Sequence, residues 1–154
     1  MKKSLKILII ILILAVVAVV AGLLVYKYVY NKPHPDYATE EAALKVRAKR
    51  LYTDFSMNPD IASERFAGKI LEIEGQITRV EETDGLTIVV YTYKTGEFGD
   101  EGIRITMLPE FSQQAKSINP FKPVTIKGLC TGYNGTDVIV EKGSLVDNPK
   151  KQAQ

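Results

Sequence analysis

KILEIEGQIT, residues Lys69–Thr78, is the stretch on which the fold turns. Leu71, Ile73, Gly75 and Ile77 alternate with Glu72, Glu74, Gln76 and Thr78. A period of two puts one set on a buried face and the other in solvent, which is the pattern of a β-strand. Before Lys69 the apolar spacing is helical, so the chain changes structural class here. Gly75 falls on the buried side and marks a place where the strand can bend.

Towards the C-terminus the same logic recurs. Thr83-Asp84-Gly85 predicts a turn. Leu86–Tyr93 is a second strand of β-branched and aromatic residues. A glycine-rich loop, Gly96–Gly102, leads to a third, in which Ile103, Ile105 and Met107 alternate with Arg104 and Thr106. Pro109–Ser117 lacks alternation and predicts a short helix, ended by Asn119-Pro120-Phe121. Val124, Ile126, Gly128 and Cys130 share parity in a fourth strand. Tyr133-Asn134-Gly135 turns into a fifth, Val138–Val146. The polar residues 148–154 predict a disordered tail.

Three strands, a short helix and two strands is the element order of an OB-fold, a five-stranded Greek-key barrel. Towards the N-terminus, Tyr37, Glu41, Leu44, Ala48, Leu51 and Phe55 recur at three- and four-residue steps, with Asp36 as a cap. That predicts a helical segment over 36–68 packing on a barrel over 69–147. Asn58-Pro59 restarts a second helix and Gly68 stops it. Lys45, Arg47, Lys49 and Arg50 lie mostly off the apolar stripe. They read as a solvated face, with anionic lipid headgroups as the other reading.

Residues Ile7–Val25 carry no charge, amide or proline. A helix of that length rises about 28 Å, close to the roughly 30 Å of a bilayer's hydrocarbon core. The expectation is a cytoplasmic N-terminus over 1–6, a transmembrane helix over 7–26 and a linker over 27–35 containing His34. Lys2, Lys3 and Lys6 place the N-terminus inside, and Tyr26, Tyr28 and Tyr30 fit the far interface. This predicts a single-pass protein of the cell (inner or plasma) membrane, its partner the lipid bilayer and its domain extracytoplasmic. Cleavage after Val19-Val20-Ala21, giving a secreted protein, is the alternative; the length of the apolar run argues against it. Ala15, Ala18 and Gly22 share a helix face, a weak dimerisation motif that leaves the oligomeric state open.

The chain has 20 basic and 18 acidic residues. Five of the basic ones flank the apolar run, so the remainder carries a net charge of −3. That disfavours nucleic acid as a ligand, because counterion release needs positive charge. One cysteine, Cys130, gives no intrachain disulfide, and one histidine leaves no clustered metal site and implies no cofactor. Cys130 shares parity with Val124 and Ile126, which reads as a small buried residue rather than a redox thiol. No nucleophile motif accompanies the carboxylate pairs, so no catalytic residue is expected and the protein reads as a non-enzyme.

From about Leu44 to Val146 the chain resembles the bacterial tRNA_anti-like OB-fold family. The segments that carry the resemblance are NPDIASERFAGKILEIEGQITRV, from Asn58, and VTIKGLCTGYNGTDVIVEKGSLV, from Val124. The family resembles anticodon-binding OB domains, and its members often carry an N-terminal membrane or export segment. Its additional late-strand cysteines are absent here, so no paired-cysteine role carries over.

OB-folds bind on the face of strands two and three. The candidates there are Tyr91 and Tyr93 on one face, Lys94 after strand two, Arg104 on strand three and Tyr133 in the last hairpin. Aromatics stack on bases or sugars, and cations meet phosphate or carboxylate. Glu72, Glu74 and Gln76 would oppose a nucleic-acid backbone on that face. The sequence thus predicts a binding module for a protein, saccharide or other envelope component, with a single-stranded nucleic-acid-binding domain as the alternative. A positive strip across strands two and three would favour the alternative.

Overall fold

A computed structural model describes residues 2–25, 37–97 and 99–146. Tyr26, Tyr28, Tyr30, His34, Asp36 and residues 148–154 lie outside the described residues. The chain forms two units, Met1–Pro35 and Asp36–Gln154.

The first unit contains helix α1, Lys2–Val25. The expected transmembrane helix is not supported: among the described residues no helix is long and apolar enough to cross a membrane. The unbroken run of described side chains covers residues 11–24, all exposed.

The second unit is built on a seven-stranded sheet. Its strands are β1 (Leu44–Arg47), β2 (Ile70–Gly75), β3 (Arg79–Thr83), β4 (Leu86–Gly96), β5 (Gly99–Met107), β6 (Val124–Tyr133) and β7 (Asp137–Leu145). They lie in the order β1-β2-β6-β7-β5-β4-β3. The β1·β2 and β5·β7 pairs are parallel and the rest antiparallel. The fold is therefore mainly β with helices, but an open seven-stranded sheet replaces the expected five-stranded barrel.

Two local causes account for the difference. The strand predicted from Lys69 onward breaks after Gly75 and resumes at Arg79, so one predicted strand becomes β2 and β3. A Cβ at Gly75 would sit 2.9 Å from Ala48 Cβ and 3.2 Å from Tyr91 Cε1. Glycine lets the backbone press on these neighbours where it bends. The second cause is β1. The helical stripe through residues 36–57 begins as a helix only at Ala48. Leu44 and Val46 turn inward and Lys45 and Arg47 outward, a two-residue period that satisfies the open edge of β2. Lys45 faces Glu72 across this pair, with a 3.1 Å ion pair.

Helix α2 (Ala48–Met57) buries Ala48, Leu51, Tyr52 and Phe55 on one face. Helix α3 (Pro59–Phe66) starts on Pro59 as expected, although Asn58 makes no side-chain capping bond. It stops at Gly68, whose φ of 74° lies where glycine meets no Cβ penalty. The Asp84-Gly85 turn has φ of 51° and 77°, the paired positive values of a type I′ hairpin. The β4–β5 ladder continues to Gly96 and Gly99, which shortens the expected glycine-rich loop. A 3-10 turn (Pro109–Phe111) and α4 (Ser112–Lys116) form the helix expected between β5 and β6.

The core joins α2 and α3 to the sheet's inner face. Phe55, Phe66, Leu71, Ile73, Ile103, Ile126 and Val140 are each at most 2 % exposed. Burying a side chain of this size stabilises by about 1.5–3 kcal/mol. Cys130 is fully buried among them, and burial pushes its thiol up to about 11.

Candidate functional site

The five candidate residues do not form one open face. Tyr91 is fully buried, and its hydroxyl has no hydrogen-bond partner among the described residues. The β4–β5 register shifts between Thr92 and Lys94, at Tyr93. Tyr93 is half-buried, its ring stacked on Tyr52 of α2 with centroids 5.5 Å apart. Tyr133 stacks on Phe55 of α2 at 5.9 Å, and its hydroxyl donates to Gly135 O at 2.9 Å. Helix α2 therefore contacts both aromatic rings that were to meet a ligand.

The two cations of that face are neutralised. Lys94 Nζ lies 3.2 Å from Glu101 Oε1, and Tyr52 Oη donates to Glu101 Oε2 at 2.8 Å. Arg104 donates through Nε to Asp137 Oδ2 at 2.9 Å and through Nη1 to Glu81 Oε2 at 2.8 Å. Arg79 reaches the same Glu81 at 2.6 Å and Asp100 at 2.8 Å. Three cations thus meet Glu81, Asp100, Glu101 and Asp137, and no positive strip crosses β4 and β5. The hydrogen bond from Arg79, then that from Arg104, holds the Glu81 carboxyl below its usual range.

Burial, then the Glu101 hydrogen bond, raises the Tyr52 phenol to about 12; burial alone raises Tyr93 to about 12. In the unfolded chain both titrate near 10. A raised folded-state value stabilises the fold while the group stays protonated. That contribution is complete below pH ~10 and disappears between pH ~10 and ~12. The urea midpoint is expected to stay level up to pH ~10 and fall above it. A midpoint indifferent to pH across that window would contradict the buried stack.

Positive charge is concentrated instead on β1 and the first turn of α2. The alternation of β1 turns Lys45 and Arg47 outward, and Lys49 and Arg50 follow on the solvent side of α2. Two open clefts meet there. One, of about 650 Å³, is lined by Arg47, Lys49, Gly75, Gln76, Tyr93 and Phe121, with Glu74 on its wall. The other, of about 670 Å³, is lined by Lys45, Arg47, Lys49, Arg50 and Arg65, with Asp54 among them. Lys45 pairs with Glu72, while Arg50 and Arg65 share Asp54 at 3.5 and 4.0 Å. Among the described residues Arg47 and Lys49 carry no ion pair.

Phe121 is 84 % exposed, yet its backbone is held. Its N–H donates to Asn119 Oδ1 and its carbonyl accepts from Gln76 Nε2, both at 2.9 Å. Pro120 and Pro123 bracket it and restrict the loop further. From the sequence, Asn119-Pro120-Phe121 is expected only to end the short helix, and the β1–α2 cations to form a solvated face or to meet lipid headgroups. The available signal was PFKP, residues 120–123, an aromatic and a cation presented between two prolines. Among the described residues no cluster of His, Cys, Asp or Glu could hold a metal ion.

A twisted β-sheet capped by helices, with an open groove of cations and aromatics, defines an OB-like binding domain. The chain belongs to the tRNA_anti-like family, whose sequence profile matches residues 1–145. Its fold is similar to that of a "putative nucleic acid-binding lipoprotein" from Klebsiella pneumoniae. That similarity has a TM-score of 0.53 at 17% identity, covering 75% of this chain and 100% of the other. The S. pombe Stn1-ten1 complex aligns with a TM-score of 0.35 at 16% identity, over 54% of this chain and 62% of that one. No curated protein matches the chain.

Proposed function

We propose that the domain binds single-stranded nucleic acid, without turning it over, in the cleft between β1, the start of α2 and the 119–123 loop. The observation that carries this reading is the pairing of Arg47 and Lys49 with the exposed Phe121 and half-buried Tyr93 around one groove. Cations meet phosphate, and an aromatic ring held by its own backbone offers a base a face to stack on. A saccharide would use the ring and leave the cations without a role. That is why the nucleic-acid alternative displaces the envelope-partner reading of the sequence. The net negative charge belongs to the domain as a whole, whereas Arg47 and Lys49, which carry no ion pair among the described residues, concentrate positive charge at this groove.

The test is fluorescence anisotropy of a labelled oligothymidylate with the full chain. Phe121→Ala is expected to weaken binding by roughly 5- to 100-fold, the worth of one stacked base. Arg47→Ala and Lys49→Ala are each expected to lower the salt slope by about 0.7, the value for one phosphate contact on a single strand. No binding at low salt, or binding indifferent to all three changes, would overturn the reading.

A further inference from the structure

The two clefts share Arg47 and Lys49 in their linings, so they lie side by side. Their linings differ in kind. The first has aromatic faces. The second has Lys45, Arg50 and Arg65 in addition to the shared pair, and its aromatic residue, Phe66, is 2 % exposed and offers no open face. The Arg65 guanidinium covers that ring instead, 5.0 Å from its centroid. A base gains little in the second cleft, whereas a chain of phosphates meets five cations.

Resting on the nucleic-acid reading, we infer that the ligand is an oligonucleotide that spans both clefts, its bases stacked in the first and its backbone continuing through the second. A free base or mononucleotide fills the first cleft only. Asp54 keeps the second cleft ready. It holds Arg50 and Arg65 at 3.5 and 4.0 Å, with those side chains 68% and 58% exposed. Exposed pairs of this kind are weak, so exchanging the shared carboxylate for a phosphate costs little. Thr53 Oγ1 is committed to Lys49 O at 2.8 Å and takes no part.

The experiment measures affinity and salt slope for oligothymidylates of about 4 to about 16 nucleotides, the range of site sizes for one OB fold. Full chain, Arg50→Ala/Arg65→Ala and Phe121→Ala are compared. The inference expects affinity to rise with length in the full chain. The double variant should bind the shortest strand as the full chain does. It should bind the longest about 10-fold more weakly or worse, with the salt slope lower by about 0.7 per lost contact. Arg50→Lys/Arg65→Lys should restore the slope, which separates lost charge from lost fold. If Phe121→Ala weakens binding while the double variant keeps the full length dependence and slope, the inference falls and the proposed function stands. If no strand binds, both fall. Equal affinity for a duplex of the same length would overturn the single-strand track.

Discussion

Replacing Gly102 by alanine is expected to abolish most of the stability of the domain. A Cβ at Gly102 would lie 1.7 Å from Tyr91 O and 2.8 Å from Tyr91 C. These are backbone atoms of the paired strand, so no rotamer change relieves the contact. Strand β5 is hydrogen-bonded on both sides, with Gly102 opposite Thr92 of β4 and Asp137 of β7. Moving β5 away from β4 presses it into β7, and the ladder must open. The expected cost is about 4 kcal/mol or more, in the range reserved for severe core defects. That approaches the lower end of the roughly 5–15 kcal/mol holding a typical domain together.

Gly143 supplies the internal control. A Cβ there would meet Ile105 Cγ2 and Met107 Sδ, each at 2.7 Å, and Thr106 O at 3.2 Å. The first two are side-chain atoms, and a methionine end can swing aside. Gly143→Ala should therefore cost about 1–3 kcal/mol, the ordinary range of overpacking. Urea denaturation of both variants decides the matter. A Gly102→Ala protein as stable as Gly143→Ala would show that the β4–β5 ladder yields at no more than the ordinary cost of overpacking.

Much of the fold could be read from local chemistry because the signals concerned are local. Alternation in β2, β5 and β6, the Asp84-Gly85 turn, Pro59 at a helix start and the buried parity of Cys130 each need only a few neighbouring residues. The failures share the opposite property. Leu44 fits the helical stripe as well as an extended period, and only the edge of β2, far along the chain, selects the strand. Tyr91 is buried and Tyr93 is covered by Tyr52 of α2, a residue about forty positions earlier in the chain.

The candidate site was less legible for the same reason. Lys94 and Arg104 looked available because Glu101, Glu81 and Asp137 stand 7, 23 and 33 residues away from their partners. Tyr93 and Tyr133 looked open because nothing in their own strands announces Tyr52 and Phe55. The β1–α2 cations were visible, but their meaning required Phe121, about seventy residues on, at the same groove.

Asp137 joins the third and fifth of the predicted strands, and its removal should have the second-largest effect. It is 7% exposed. Its Oδ1 accepts from the Gly102 N–H at 2.9 Å and its Oδ2 from Arg104 Nε at 2.9 Å. Asp137→Ala strands a buried amide donor, which costs about 1–3 kcal/mol. It also removes one of two carboxylates from Arg104. Breaking a buried pair from one side costs about 3–5 kcal/mol. Arg104 is 32% exposed and keeps Glu81, so the lower end applies and about 3 kcal/mol is expected. Asp137→Asn keeps an acceptor for Gly102 but turns an N–H donor toward Arg104 Nε, so it loses the charge and that charge-assisted hydrogen bond, for about 1.5–3 kcal/mol. The difference between the two variants isolates the backbone amide. Combining Asp137→Asn with Arg104→Met then measures the charge pair. The two losses should fall short of additive, because the second change removes the cation that the first left underpaired. A chemical denaturation series reads all four proteins. An Asp137→Ala cost below about 1 kcal/mol would mean that water replaces the carboxylate at Gly102, and that the β5–β7 junction owes its order to the apolar residues on either side.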